Sequence, residues 1–405
     1  MLEATDTAPS ASAATNGGLL PGAARTIEPD RLPETLFEGI AARAVAADRG
    51  ERDLSADLAE LAGAGLLAMP LPRDAGGLAL GGASADALAL ARLLRRLGRA
   101  NLSVARLYEG HVNAAKLVAL YGDGPARARA WRAVGHGALM GVWGADGDPP
   151  LSLGADGRLA GTKRFASGLG LVRLAVVSIA GEAGLRLALV PTGEPTREDA
   201  SGWRVAGMRA TASGTYDFAG VEPIAMLGEV GDYVREPHFE GGTWRYCAAH
   251  LGGAEALADE TRRMLVRSKR ADDPHQRDRL ARMGIACETA RLWIESAAAR
   301  VEGDPADPEG AAAYALLARE ATERACLEVI DLCERALGML AHAETTPIDR
   351  MRRDLSMFLR QAAPDAKRMR AATALVERDC RAETLGGGAN GVTRRAPRGR
   401  GGEAS

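Results

Sequence analysis

Aromatic side chains account for only 4% of the 405 residues, so the core must be filled mainly by small and aliphatic groups. Helices meeting through Ala and Gly would pack in this way, although the abundance of Ala, Arg and Gly also fits GC-rich coding, which carries no function. Charge of one sign is lacking too: 51 Lys and Arg stand against 53 Asp and Glu, a net charge of -2. This balance gives no electrostatic reason to expect nucleic acid as a partner. No window approaches the roughly 18 consecutive apolar residues of a membrane span, and none is expected. Cysteine is sparse and scattered, at Cys247, Cys287, Cys326, Cys333 and Cys380, with neither C-x-x-C spacing nor the clustering of a disulfide framework. These read as reduced core residues of a cytoplasmic protein. The six His residues do not pair with one another or with Cys at ligand spacing, so no metal site is expected.

The length exceeds what one hydrophobic core usually organises, and two or three packed units are expected. Residues 1–32 are rich in Ala, Thr, Ser and Gly without a basic start and a sustained apolar run, and read as a disordered leader rather than a signal peptide. Residues 33–135 carry helical spacing, clearest in SADALALARLLRRLGRA, where Ser84 can cap the helix and Leu90, Leu93, Leu94 and Leu97 share a face. Residues 136–230 change to alternating runs punctuated by turns, with an Asp156-Gly157 turn between two of them; they read as an antiparallel barrel or sandwich. Residues 231–385 return to helix, with Met283, Cys287, Ala290 and Ile294 on one face and breaks at Asp304-Pro305 and Thr346-Pro347. The Gly- and Arg-rich residues 386–405 read as a solvated tail.

Several strings resemble the acyl-CoA dehydrogenase family, in that family's order. They are GLLAMPLPRDAGG (Gly65 to Gly77), LMGVWGADG (Leu139 to Gly147), GTKRFASG (Gly161 to Gly168), GMRATASGTYDFAGVEP (Gly207 to Pro223) and CERALGMLAHAETTPIDRMRRD (Cys333 to Asp354). The last aligns Gly338, Pro347, Arg353 and Asp354 with the family pattern without a gap. The resemblance implies an α+β multidomain fold: an N-terminal helical domain, a central antiparallel β-barrel and a C-terminal four-helix bundle. It also implies FAD, a homodimer or homotetramer with FAD at a subunit boundary, an acyl-thioester or related substrate, and an electron-transfer or reductase partner.

Carried over by residue, the resemblance puts Val142 and Trp143 on one flavin strand. Trp143 replaces the usual Thr or Ser, and is a candidate for walling the substrate cavity instead. Phe165 stands where the family has a Trp flanking the ring, and Ser167 where a hydroxyl bonds it. Arg267 and Gln276 are the candidates for the pyrophosphate, although Arg270 replaces the family's aromatic; Gly338 lies on the flavin-binding pattern. The usual catalytic Glu falls on Ala362, and the alternative position on an earlier helix falls on Thr243. The remaining candidates for a base are Glu240, one helical turn away, and Asp365, which also reads as a helix cap. His111, in RLYEGHVNAAKLV with Tyr108 and Asn113, adds polarity to the region that lines the acyl pocket in the family; its bland reading is a satisfied core histidine. Relatives that have lost the Glu include flavin monooxygenases, in which reduced flavin meets oxygen near His or polar groups. Three readings follow: a dehydrogenase-type oxidoreductase, a monooxygenase, or a non-catalytic flavin-binding paralogue.

Overall fold

The computed structural model describes residues 29–361, 363–378 and 385. The expected tail, nearly all of the expected leader, Cys380 and Ala362 therefore lie outside the described residues.

The chain opens with five helices, α1 (Glu34–Asp48), α2 (Ser55–Gly63), α3 (Ser84–Ala100), α4 (Leu102–Tyr121) and α5 (Gly124–Gly135). On α3 the expected leucine face is buried in full at Leu90, Leu93, Leu94 and Leu97. Ser84 does not cap it: Ala83 occupies the cap position, and Ser84 Oγ donates to the Ala299 carbonyl at 2.8 Å. The caps that do form are short acceptors. Asn101 accepts from the Ser103 amide at the start of α4, and Asp123 from the Ala126 amide at the start of α5. Each such cap is worth about 1 kcal/mol.

The central strands are β1 (Leu139–Trp143), β2 (Ser152–Leu153), β3 (Leu159–Ala160), β4 (Thr162–Ala166), β5 (Val172–Gly181), β6 (Gly184–Pro191), β7 (Glu198–Asp199), β8 (Gly214–Asp217) and β9 (Ala225–Leu227). The Asp156-Gly157 turn joins the β2–β3 hairpin as expected, with Gly157 at φ 77°. The barrel does not close. Among the described residues the strands form separate sheets, ordered β1-β5-β6-β9, β2-β3 and β4-β8-β7. Closure needs every strand bonded on both sides, whereas β1, β9, β4 and β7 are edges. Nor is the region wholly antiparallel, since β1 runs parallel to β5 with Val142 opposite Val176.

Beyond them lie the long helices α6 (Trp244–Arg267), α7 (Pro274–Val301) and α8 (Pro308–Leu337), then α9 (Pro347–Phe358) and α10 (Pro364–Glu377). This is the expected helical bundle, and it grips the N-terminal helices through glycine. A Cβ on Gly98 of α3 would lie 2.2 Å from the Ala249 carbonyl oxygen, and one on Gly252 of α6 would lie 2.0 Å from that of Arg95. Any larger residue would force the two helices apart. No helix among the described residues is long and apolar enough to cross a membrane.

Candidate functional site

A cavity of about 650 Å³ lies where the sheets meet α4, α6 and α9. Its position follows from three fastenings. The first is Lys163 on β4, fully buried, whose Nζ donates to the Gly144 carbonyl at 3.1 Å, to Asp146 at 2.6 Å and to Ser178 at 3.1 Å. This fixes Gly144 and Ala145, which line the cavity just after β1. The second joins two of the strings quoted above across the molecule. The Met208 amide donates to Asp354 at 2.6 Å, and a Cβ on Gly207 would sit 2.1 Å from the Arg353 carbonyl oxygen, so only glycine permits the approach. The third is a bulge in β4: its pairing with β8 shifts register between Lys163 and Ala166. Phe165 is thereby held at φ 54°, costly for an aromatic residue, and stays 58% exposed. Trp203 meets its ring edge-on at 6.4 Å between centroids.

Beside Phe165 a hydroxyl relay reaches the cavity. Ser213 Oγ donates to Ser167 Oγ at 3.0 Å, with Thr211 Oγ1 2.9 Å from Ser213. Ser167 thus accepts within the relay and keeps its own proton for an acceptor in the cavity. Tyr246 also lines the cavity; its buried hydroxyl makes no well-aligned hydrogen bond, although Arg319 lies within its field. An exposed aromatic face, a spare hydroxyl proton and an orphaned phenol fit a planar heterocycle with polar edges, as a flavin ring is.

The opposite wall is charged. Arg106, Glu109, Asn113 and Lys116 recur on one face of α4 and line the cavity. Glu109 accepts from Arg106 at 2.7 Å and from Asn113 at 2.5 Å. Arg245 donates to Asn113 at 3.1 Å and to Glu302 at 2.5 Å, and Lys116 donates to the other Glu302 oxygen. Trp244 Nε1 adds a bond to Glu302 at 3.3 Å. Burial pushes Lys116 down to about 8; neighbouring Arg245 adds to this and Glu302 resists it. Burial pulls Glu302 upward, but Arg245 and Lys116 outweigh it and hold it below the usual carboxylate range. His238, also on the cavity wall, is lowered to about 4 by burial and by Lys116.

Of the residues singled out from sequence, Val142, Phe165 and Ser167 line this cavity and come together. Trp143 does not: it is buried under Tyr216 and Phe218, and its Nε1 donates to the Ser167 carbonyl at 3.1 Å. It therefore supports Ser167 from behind rather than walling the cavity. His111 is also behind the wall. Its Nε2 lies 2.7 Å from the Leu67 carbonyl and its Nδ1 accepts from the Met140 amide at 3.0 Å. Burial lowers it to about 4. Glu240 is buried in ion pairs with Lys367 and Arg370. Asp365 has an 85% exposed side chain paired with Arg368 at 3.0 Å. It does not cap α10, whose cap position is Ala363 with no side-chain bond. Thr243 lines the cavity without a carboxylate. Away from it, Arg267 pairs with Glu260 at 2.7 Å, Gln276 faces the Ala336 carbonyl at 3.5 Å, and Gly338 ends α8 at φ 60°. Sequence reasoning missed Lys116, Arg245 and Glu302, although the 3-4-3 spacing of polar residues along the otherwise apolar α4 was a readable signal.

Comparison with known proteins bears on the fold. Residues 232–359 match the family model for the C-terminal domain of acyl-CoA dehydrogenase. FMN-bound TdsC of Paenibacillus sp. A11-2, a dibenzothiophene monooxygenase, is 19% identical over 84% of this chain and 95% of its own, with a TM-score of 0.73. Butyryl-CoA dehydrogenase of Megasphaera elsdenii is 19% identical over 84% and 95%, with a TM-score of 0.72. A nitrososynthase of Micromonospora carbonacea var. africana is 20% identical over 85% and 94%, at 0.71. No curated protein matches the chain in sequence. The chain has the acyl-CoA dehydrogenase fold.

Proposed function

We propose that this acyl-CoA dehydrogenase-fold chain is a flavin-dependent oxidoreductase whose reaction does not begin with proton abstraction by a carboxylate, which favours monooxygenase over dehydrogenase chemistry. One observation carries the reading: among the described residues lining the cavity the sole carboxylate is Glu109, and both of its oxygens are engaged, by Arg106 and by Asn113. A base must be free to take a proton within hydrogen-bond reach of the substrate. Glu240 is tied to two cations, and Asp365 faces solvent. The position that holds the family's usual Glu is Ala362 in this sequence.

When bound, the flavin supplies two-electron chemistry, as a hydride acceptor in the one reading and, when reduced, as the partner of oxygen in the other. The protein's part is positioning. Phe165 would cover a face of the ring, Ser167 would donate its spare proton to a ring acceptor, and Tyr246 would offer its unpaired hydroxyl to the ligand. The family resemblance favours FAD over FMN. In that case Arg267 and Gln276, which do not line their own chain's cavity, would serve the diphosphate of a flavin in a neighbouring copy, and the working unit would be a homodimer or homotetramer. The redox partner in the monooxygenase reading is a reductase that delivers reduced flavin.

The experiment is a pair of arms on the flavin-loaded protein. Mixed anaerobically with butyryl-CoA, the flavin should keep its colour; supplied reduced in air, it should consume oxygen. Bleaching by butyryl-CoA at the rate of an ordinary dehydrogenase would overturn the reading. Absence of flavin binding, tested separately with FAD and FMN, would overturn its premise.

A further inference from the structure

The cavity does not end at its polar wall. A second cavity of about 430 Å³ lies behind it, and Lys116, Leu120 and His238 line both. Glu302 faces the second chamber from the end of α7, with Pro70, Pro72 and Leu80 on its apolar side. A bonded series runs from the polar wall of the first cavity to the second, through Arg106, Glu109, Asn113, Arg245, Glu302 and Lys116, and of these Lys116 lines both chambers. Three cations face two carboxylates in it. His238, lowered to about 4, adds no charge at neutral pH. A surplus cation largely shielded from water is costly, and the cost is relieved either by losing the proton or by receiving an anion. A hydrocarbon tail entering here would strip water from these groups and give nothing back.

We propose that this wall is an anion-binding subsite for the substrate, taking a carboxylate or phosphate group on Lys116, and that Lys116 determines specificity there. The proposal rests on the flavin reading only for the word substrate. Leu107, on the turn of α4 next to Arg106, lies against Gly168 beside the proposed ring site, whereas Lys116 is about 13 to 14 Å further along the helix. A substrate reacting near Phe165 and Ser167 would thus extend along α4 and end in its anionic group. Arg245 spends its Nη1 on Asn113 and its Nη2 on Glu302, and only its buried Nε is without a partner. Lys116 has one carboxylate partner and a long contact of 3.4 Å to the Gly81 carbonyl, so its ammonium retains a donor to give.

The test uses flavin-loaded protein with phenyl phosphate, benzoate and uncharged benzyl alcohol as probes, read by calorimetry. Both anions should bind at least about 10-fold more tightly than the alcohol, Lys116→Met should abolish that preference, and Lys116→Arg should keep most of it. Phosphate and carboxylate sources are separated by which probe binds more tightly. Equal binding of the alcohol, or an anion preference that survives Lys116→Met, would overturn the proposal. So would a selective loss of FMN relative to riboflavin in Lys116→Met, since that would assign the subsite to the cofactor's own phosphate. If the Met variant does not fold, the wild-type protein still decides: phenyl phosphate should protect Lys116 from acetylation, measured by mass spectrometry, and benzyl alcohol should not. Equal acetylation with either probe would count against the subsite. Because flavin content is measured by absorbance in the same samples, failure of anion binding and failure of the flavin reading are distinguishable.

Discussion

His111 and Lys116 stand little more than one turn apart on α4, one fully buried and the other partly buried, both titratable, and they are opposites. His111 faces the packed side, where Met140 donates to one ring nitrogen and the Leu67 carbonyl accepts from the other. That pairing demands a single neutral tautomer, because a proton on Nδ1 would point at the Met140 N–H. Its hydrogen-bonding capacity is spent inside the fold. Lys116 faces the cavity with more positive charge around it than its neighbours neutralise. A polar residue whose partners are complete belongs to the scaffold, and one whose partners are incomplete is available to a ligand.

The largest effect expected from this comparison is on stability. His111→Leu leaves the Met140 amide and the Leu67 carbonyl buried and unpaired, and should cost about 3 kcal/mol in urea unfolding at pH 7. Lys116→Met should cost about 1 kcal/mol or less, because Arg245 and Trp244 still hold Glu302 and the remaining network balances its charges. A larger loss in Lys116→Met than in His111→Leu would reverse the assignment.

Acid should sharpen the same contrast. Burial lowers His111 to about 4 and His250 to about 3 from 6.5. In both cases the unfolded chain takes up the proton first. Their contribution to stability is therefore complete above about 6.5 and is lost as pH falls from there towards the folded values, at about 1.4 kcal/mol per unit for each group. Lys116, lowered from 10.5 to about 8, loses its contribution between those two values and adds nothing to a change between pH 7 and 5. Urea midpoints in wild type should fall between pH 7 and 5, before most carboxylates titrate, and the fall should be shallower in His111→Leu. An identical slope would remove His111 from the account.

The sequence disclosed the parts of this molecule that depend on local pattern. The leucine face of α3, the Asp156-Gly157 hairpin and the order of helices, strands and helices follow from spacing and turn chemistry. The open sheets were not legible, because alternation identifies a strand but not its partner; β1 finds its parallel neighbour across the β2–β4 segment. Phe165 and Ser167 were reached through a motif and do share the cavity. Lys116, Arg245 and Glu302 were not reached, since charges on helices usually mark solvated faces. Only the closing of α4, α6 and the end of α7 on one another brings these three together. His111 drew notice as a lone histidine, a type of residue whose meaning depends wholly on what faces it.

A smaller effect should come from the strained aromatic. Phe165→Gly relieves the positive φ at an exposed site, so stability should stay the same or rise by up to about 1 kcal/mol. Flavin affinity should fall about 10-fold with the lost ring face, in line with the 0.5–1.5 kcal/mol typical of an aromatic pair. This divides scaffold from site in the same way as the α4 pair: Phe165 would serve the ligand at the fold's expense, whereas His111 serves the fold alone. Unchanged flavin affinity would take Phe165 out of the site.

The smallest effect is expected at Asp365, the candidate base that most resembles a free carboxylate on paper. Its side chain is 85% exposed and its partner Arg368 is 48% exposed, so their 3.0 Å ion pair is screened by water. Such pairs contribute about 0–1 kcal/mol. Asp365 also does not line the cavity, whereas Gln361 and Lys367 on either side of it do. A group that proton transfer depends on must come within hydrogen-bond reach of the substrate, and an exposed carboxylate at the first turn of α10 is turned away from it. Asp365→Asn should therefore leave oxygen consumption and flavin affinity within about twofold of wild type, and the urea midpoint nearly unmoved. A fall in turnover of the order of 10² or more, with flavin still bound, would mean that the segment from Gln361 to Lys367 rearranges to bring Asp365 inward. A carboxylate base would then be back in the mechanism, and the case against dehydrogenase chemistry, which rests on the absence of one, would have to be withdrawn.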